Sequence, residues 1–274
     1  MDYKHVLYEK IDGIAKITVN RPKVLNAISR RVYQELDNAF TQAETDGEVR
    51  VIVVAGAGEH FGAGHDMSSK EMIEEEKIAP RDRTPLGTMK EMETGVYSYP
   101  RDHWRNIPKP TIAMVQGYCI MASWMLAAAC DLIIASEDAK FQEKTTRTWG
   151  GAHIEYPAMF IELGPRKAKE YMWLGEFIDA REALRLGIVN RVVPRNRLEE
   201  ETMSIARKLA VMDPWGLMAS KMSINQAVDI MGQAAAIKAS CNFWTLSVTR
   251  RDPKVFATQY NVKWVKARDK EFTK

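Results

Sequence analysis

Two titratable side chains beside a glycine turn raise the question of chemistry: His153 and Glu155, in the run Trp149-Gly150-Gly151-Ala152-His153-Ile154-Glu155-Tyr156. An imidazole and a carboxylate can divide the transfer of a proton, the carboxylate as general base and the histidine orienting water or donating. Two residues apart, they share a face on an extended chain and diverge by about 200° on a helix. The loop conformation therefore decides between a catalytic pair and its alternative, a helix-start histidine beside a carboxylate satisfied by local amides. Glu143, in FQEKTTRTW, is a third candidate, with a surface ion pair to Lys144 or Arg147 as its alternative. Asp66 and Asp131 read as structural carboxylates at a helix start and a strand entry, and His103 and Trp104 as packing residues.

The elements that must position these groups are legible from periodicity. Val6 to Glu9 and Ile14 to Val19 flank Asp12-Gly13, a dipeptide suited to the positive φ angles of a hairpin turn. Ser29 to Glu44 places Val32, Leu36, Phe40 and Ala43 on one helical face, and Val51 to Ala55 is an apolar strand of the buried parallel type. Thr111 to Val115 and Leu132 to Ala135 are two more such strands. Between them the chain turns at Gly117 and forms an apolar helix. Arg166 to Leu174 and Ala180 to Leu186 read as helices, and Gly187-Ile188-Val189 ends the second and opens a strand that stops before Pro194. Ser68 to Asn106, rich in charge runs, reads either as a solvated helix and loop or as a pocket wall. From Leu198 onward the pattern is helical, with Pro214 at a helix start and periodic Met, Leu, Ala and Trp as packing surface. The expected fold class is α/β, with a core domain over 1–200 and a helical region over 201–274.

Composition excludes several function classes. With 39 basic against 36 acidic side chains there is no nucleic-acid footprint, although a local basic patch for a phosphorylated ligand remains open. The run Thr111 to Ala135 is interrupted by Gln116, Gly117 and Asp131, which argues against a membrane span. Cys119, Cys130 and Cys241 have neither metal-ligand nor disulfide spacing, so no metal site is expected. Together with a charged amino terminus that lacks a signal-peptide apolar stretch, they point to the cytoplasm.

Four separated segments resemble signatures of the crotonase (enoyl-CoA hydratase/isomerase) superfamily, in the same order: NRPKVLNAIS, VRVIVVAGAGEHFGAGHDM, PKPTIAMVQGYCIMASWMLAAACDLIIASEDAKF and LGPRKAKEYMWLGEFIDAREALRLGIVNRVVP. The resemblance implies a ββα-spiral core, a C-terminal trimerisation region, and a homotrimer or dimer of trimers. It also implies an acyl-CoA thioester substrate, with coenzyme A entering as part of that substrate and no permanently bound cofactor. The thioester oxygen would lie between the backbone N–H groups of His65 and Ala122, preset donors for an enolate or tetrahedral oxyanion. Lys23, Val24, Leu25, Ala27, Ala63, Gly64 and Asp66 would flank the coenzyme, the His65 side chain would face either the pocket or the nucleotide, and Lys263 and Lys266 would reach the ribose phosphate of the same or a neighbouring subunit. Met121, Trp124, Met125, Thr145 and Trp149 would line an apolar, partly aromatic acyl pocket.

The chain departs from the family pattern at three places. Side chains replace a glycine tract at Met121-Ala122-Ser123, and Met125 and Thr145 stand where hydratases of the family carry glutamates. Since water addition needs one group to activate water and another to handle the α-carbon proton, Glu155, His153 and Glu143 become the candidates for that work. The expected activity is hydratase-like. Two alternatives stand: hydrolysis of a carbon–carbon bond in a β-dicarbonyl substrate, suggested by Gly151 to His153, and a silent acyl-CoA-binding member.

Overall fold

The computed structural model describes residues 3–82, 84–146 and 158–249, together with 267 and 270. Its strands are β1 (Val6–Ile11), β2 (Ile14–Val19), β3 (Val51–Gly56), β4 (Thr111–Val115), β5 (Tyr118–Ile120), β6 (Leu132–Ser136), β7 (Lys140–Gln142), β8 (Ile178–Asp179) and β9 (Arg191–Val193). Its helices are α1 (Arg30–Thr45), α2 (Lys70–Ile78), α3 (Pro85–Thr94), α4 (Ala122–Ala128), α5 (Ala158–Leu174), α6 (Ala180–Leu186), α7 (Leu198–Ala210), α8 (Pro214–Ile230) and α9 (Gln233–Thr249).

The chain begins with the hairpin. Asp12 (φ 51°) and Gly13 (φ 75°) both take positive φ, and β1 pairs antiparallel with β2 from Val6↔Val19 to Ile11↔Ile14. Parallel pairing then builds one sheet in the order β1-β2-β3-β4-β6-β9. A second sheet has the order β5-β7-β8. The chain alternates between the two, passing from β4 to β5 and then α4, and from β6 to β7, which produces the ββα spiral.

The central strands are apolar on both faces because both are covered. Val51, Val53 and Ala55 pack with Leu198, Met203 and Ala206 of α7, while Ile52 and Val54 face the larger core that contains Val32, Leu36 and Phe40 of α1. The period of two along β3 thus feeds two cores from one strand. α1 starts at Ser29, whose side chain accepts a hydrogen bond from the Val32 N–H. Gly117 (φ 55°) makes the turn from β4 to β5 under strict confinement: a Cβ there would lie 2.3 Å from the Glu59 carbonyl oxygen.

Three local expectations are revised. The helix expected over Arg166 to Leu174 is present but is preceded by a further stretch from Ala158: the backbone breaks at Gly164 (φ 71°, ψ 161°) and Pro165 opens the second stretch, where a missing N–H costs nothing. The last strand starts at Arg191. Ile188 and Val189 donate their N–H groups back to the Ala183 carbonyl to close α6 instead of joining the ladder. The charge run around Glu71 is not a uniformly solvated face, since Glu71 bonds Lys4 at 2.6 Å, His5 Nε2 at 2.7 Å and Arg21 at 3.3 Å.

The former apolar run Thr111 to Ala135 is divided among β4, β5, α4 and β6, and among the described residues no helix is long and apolar enough to cross a membrane. At the C-terminal end, α9 packs on α3 and α8. Part of the apolar surface of α8 and α9 faces outward, with Trp215 69% and Ile224 64% exposed.

Candidate active site

Three segments converge beside the start of α4. The first is the turn after β2. Leu25 and Asn26 both adopt φ 54°, and the Asn26 side chain closes the turn: its Oδ1 accepts from Arg21 N–H at 2.9 Å, and its Nδ2 donates to the carbonyls of Ala57 (2.8 Å) and His60 (2.7 Å). Asparagine tolerates the left-handed region, and here its buried amide is fully used.

The second segment is 62–66. Ala63 N–H donates to Leu25 O, Ile28 N–H to Gly64 O and Asp66 N–H to Ile28 O, so this strip lies alongside the first turn. Arg21 bridges the two. Its Nη1 reaches Ala27 O at 2.5 Å and Asp66 Oδ2 at 2.8 Å, with both side chains almost wholly buried. Burial pushes the Asp66 carboxyl up, but hydrogen bonds from Ser69 and Arg21 outweigh it and hold the group below its ordinary value. Asp66 also accepts from Ser68 N–H and Ser69 N–H, which fixes the approach to α2. The structure thus makes Asp66 a member of a charge-paired knot beside the turn, and Asp131 a structural partner of Thr111 N–H and Lys221.

The third segment is the entry to α4. Met121 N–H donates to Gln142 O at 2.9 Å, and Met121 adopts φ 48°, ψ −117°, a conformation that suits glycine. The Ala122 N–H, at the first position of α4, makes no hydrogen bond among the described residues. Ser123 Oγ accepts from the Gly64 N–H at 3.1 Å. A Cβ added at Gly64 would come within 3.1 Å of Met121 Cβ and 3.6 Å of the Ala122 nitrogen, so the His65 strip and the helix entry touch.

Around this junction, Glu143 is only 8% exposed and follows Gln142, whose carbonyl holds Met121. Its Oε1 accepts the Thr145 N–H at 2.7 Å and the Thr145 hydroxyl. These two bonds make that oxygen part of a buried turn. Met125 is buried on α4, and Trp124 packs its ring against Phe141 at 5.7 Å within the main core. The His65 ring lies 6.2 Å from that of Tyr33, which stacks on Trp104, itself stacked on Phe40. His103 does more than pack. Its two ring nitrogens bond Asp37 (2.6 Å) and Glu44 (3.0 Å) of α1, and chiefly the Asp37 bond raises its pKa against the opposing effect of burial.

Lys23 and Leu25 are exposed at the rim of the first turn. Trp149, His153, Glu155, Lys263 and Lys266 lie outside the described residues. Cys119 and Cys130 are poor nucleophiles, because burial raises both thiols, Cys130 to about 12. Among the described residues no group of His, Cys, Asp and Glu could hold a metal ion. Sequence reasoning missed Arg21, Asn26 and Ser123 as site-building residues. The available signals were the position of Arg21 and Asn26 inside the motif NRPKVLNAIS and the replacement of a glycine tract at Met121-Ala122-Ser123.

The family model described as enoyl-CoA hydratase/isomerase matches residues 9–260. The chain belongs to the enoyl-CoA hydratase/isomerase family. Within it, the chain is 39% identical over 249 residues to "Putative enoyl-CoA hydratase EchA13" of Mycobacterium tuberculosis, covering 86% of this chain and 78% of that protein. A crystal structure of a "probable enoyl-CoA hydratase" from Mycobacterium thermoresistibile superposes with a TM-score of 0.81 at 39% identity, covering 89% of this chain and 94% of the other. An enoyl-CoA hydratase/isomerase from Xanthobacter autotrophicus Py2 gives 0.83 at 30% identity, covering 98% and 99%. The crotonase fold and membership in an enzyme family are thereby shown for this chain.

Proposed function

We propose that this family member binds an acyl-CoA thioester and stabilises an enolate or oxyanion at its carbonyl through the backbone N–H groups of His65 and Ala122. The observation that carries the reading is the contact of the two segments at Gly64 and Met121, with the Ala122 N–H unpartnered among the described residues. A preset amide in a dry site stabilises developing negative charge without reorganisation.

Proton transfer falls to groups other than Met125, because a thioether neither takes nor gives a proton. Glu143 is the described candidate, buried beside the helix entry and oriented by Thr145. Glu155 and His153 are the further candidates for activating water and protonating the α-carbon. In a hydration the water oxygen bonds the β-carbon, the base takes its proton, and the α-carbon of the enolate receives a proton, which restores the thioester. The turn Lys23-Val24-Leu25 with Ala27, and Ala63-Gly64 beside Asp66, would hold the pantetheine and adenine parts. Lys263 and Lys266 would meet the ribose phosphate. Met121, Trp124, Met125, Thr145 and Trp149 would form the acyl wall. The outward apolar side chains of α8 and α9 suit a homotrimer or dimer of trimers, with 201–274 as the assembling region, and the three free cysteines suit the cytoplasm.

The experiment is mass spectrometry of the purified protein with straight-chain, aromatic and alicyclic 2-enoyl-CoA and β-keto acyl-CoA esters. Gain of one water with the thioester intact is the expected result. Cleavage of a carbon–carbon bond would replace hydration by the β-dicarbonyl hydrolase reading, and CoA binding without turnover would leave a silent binder.

A further inference from the structure

The hydroxyl of Ser123 joins the two segments that carry the proposed donors. Ser123 follows Ala122 on α4, and its Oγ accepts the N–H of Gly64, the residue before His65, at 3.1 Å. Its side chain is sealed in, with the residue 1% exposed. The space is closed from the opposite side as well: a Cβ added at Gly62 would lie 2.2 Å from Ser123 Oγ and 2.9 Å from Ser123 Cβ. The strip 62–64 therefore lies flat on the helix entry.

The other hydrogen bonds of the strip run elsewhere. Gly62 exchanges bonds with Tyr118 and Ile120 of β5, and Gly64 O and Asp66 N–H pair with Ile28. Those bonds set the height of the strip against β5 and the first turn. The Ser123 bond links it to the helix that presents Ala122.

We propose that Ser123 is a positioning residue that sets the separation of the His65 and Ala122 amides, so that both N–H groups meet one thioester oxygen. The inference rests on the donor assignment made above. Its physical basis is that oxyanion stabilisation depends on donors held at hydrogen-bond distance from the developing charge, and that a misplacement of about 1 Å can cost about a hundredfold in rate. Removing the acceptor leaves a buried N–H unpaired, and the strip relaxes to find another partner.

The test uses the full chain and an arylacryloyl-CoA ester, whose absorption and carbonyl stretch report polarisation of the thioester. Wild-type protein should shift both on binding. Ser123→Ala should lose most of the shift, and should lose at least about tenfold in kcat, the scale of one weakened donor. Its affinity for free CoA should stay within about twofold, since RT ln 2 is under half a kcal/mol. Ser123→Cys, close in volume with a weaker acceptor, should fall between the two. It carries the test if the alanine variant does not fold. A wild-type protein that fails to bind the probe, or binds it without a shift, overturns the donor assignment and this inference with it. A wild-type shift that persists unchanged in the variants overturns the inference alone.

Discussion

The sheet around β3 and the junction at the start of α4 are held together by opposite means. Around β3, side-chain position is a matter of area: alternate residues sink into two apolar cores, and no single side-chain contact there is directional. At the junction, position depends on a few directed bonds: Arg21 and Asn26 donate to specific carbonyls and a carboxylate, and Ser123 accepts from the Gly64 amide. The apolar regions supply stability spread over many residues, whereas the junction concentrates geometry in a few. Substitutions in the first region should therefore move stability in proportion to volume. In the second they should move geometry and activity out of proportion to size.

The largest break comes from the core. Phe40→Ala removes a fully buried ring stacked 5.1 Å from Trp104, and should cost about 4 kcal/mol in denaturant unfolding. Arg21→Met tests the junction by stranding the buried Asp66 carboxylate. It should cost about 3 kcal/mol and also lower CoA affinity, a double effect that Phe40→Ala should not show while folded.

Glu143→Gln sharpens the contrast further, because it keeps the shape of a buried side chain. The expected result is a fall in kcat of about a hundredfold, near 2.7 kcal/mol, with little change in the unfolding midpoint. A variant with normal turnover would leave proton transfer to Glu155 and His153.

pH separates the regions in a different way. The Asp37 hydrogen bond chiefly raises the His103 pKa above the ordinary 6.5, against the opposing effect of burial. A raised folded pKa gives stability that is complete below 6.5 and is lost as pH rises through the folded value. Glu71 has the opposite sign: burial raises it, but bonds from Lys4 and His5 bring it down to about 2, so its contribution is complete above 4.5 and fades as pH falls toward 2. Thermal unfolding of His103→Gln should lose the alkaline slope and keep the acid one. The smallest effect is Met121→Gly, which relieves the positive φ and should stabilise by about 1 kcal/mol.

These regions also differ in how far they could be read in advance. The hairpin, α1, β3, β4 and β6 follow from periodicity, because burial on one face or both leaves a repeating pattern over many residues. β5, β7 and β8 span only two or three residues, too few for any period to register. The roles of Asn26 and Ser123 depend on contacts with residues about 30 and 60 positions away, which no local pattern encodes. The Glu143 carboxylate was legible as a candidate, but its turn onto Thr145 required the backbone to be known.

The near-coincidence of a Gly62 Cβ with Ser123 Oγ has a consequence for how the chain can change by mutation. Two positions 61 apart share room for one side chain, so their substitutions are strongly epistatic. Gly62→Ala should destabilise while serine stands at 123, and Ser123→Gly should ease it by removing both serine contacts, leaving the Asn26 carbonyl oxygen at 3.2 Å. The order in which the two positions change therefore matters, with the loss of the serine the easier first step.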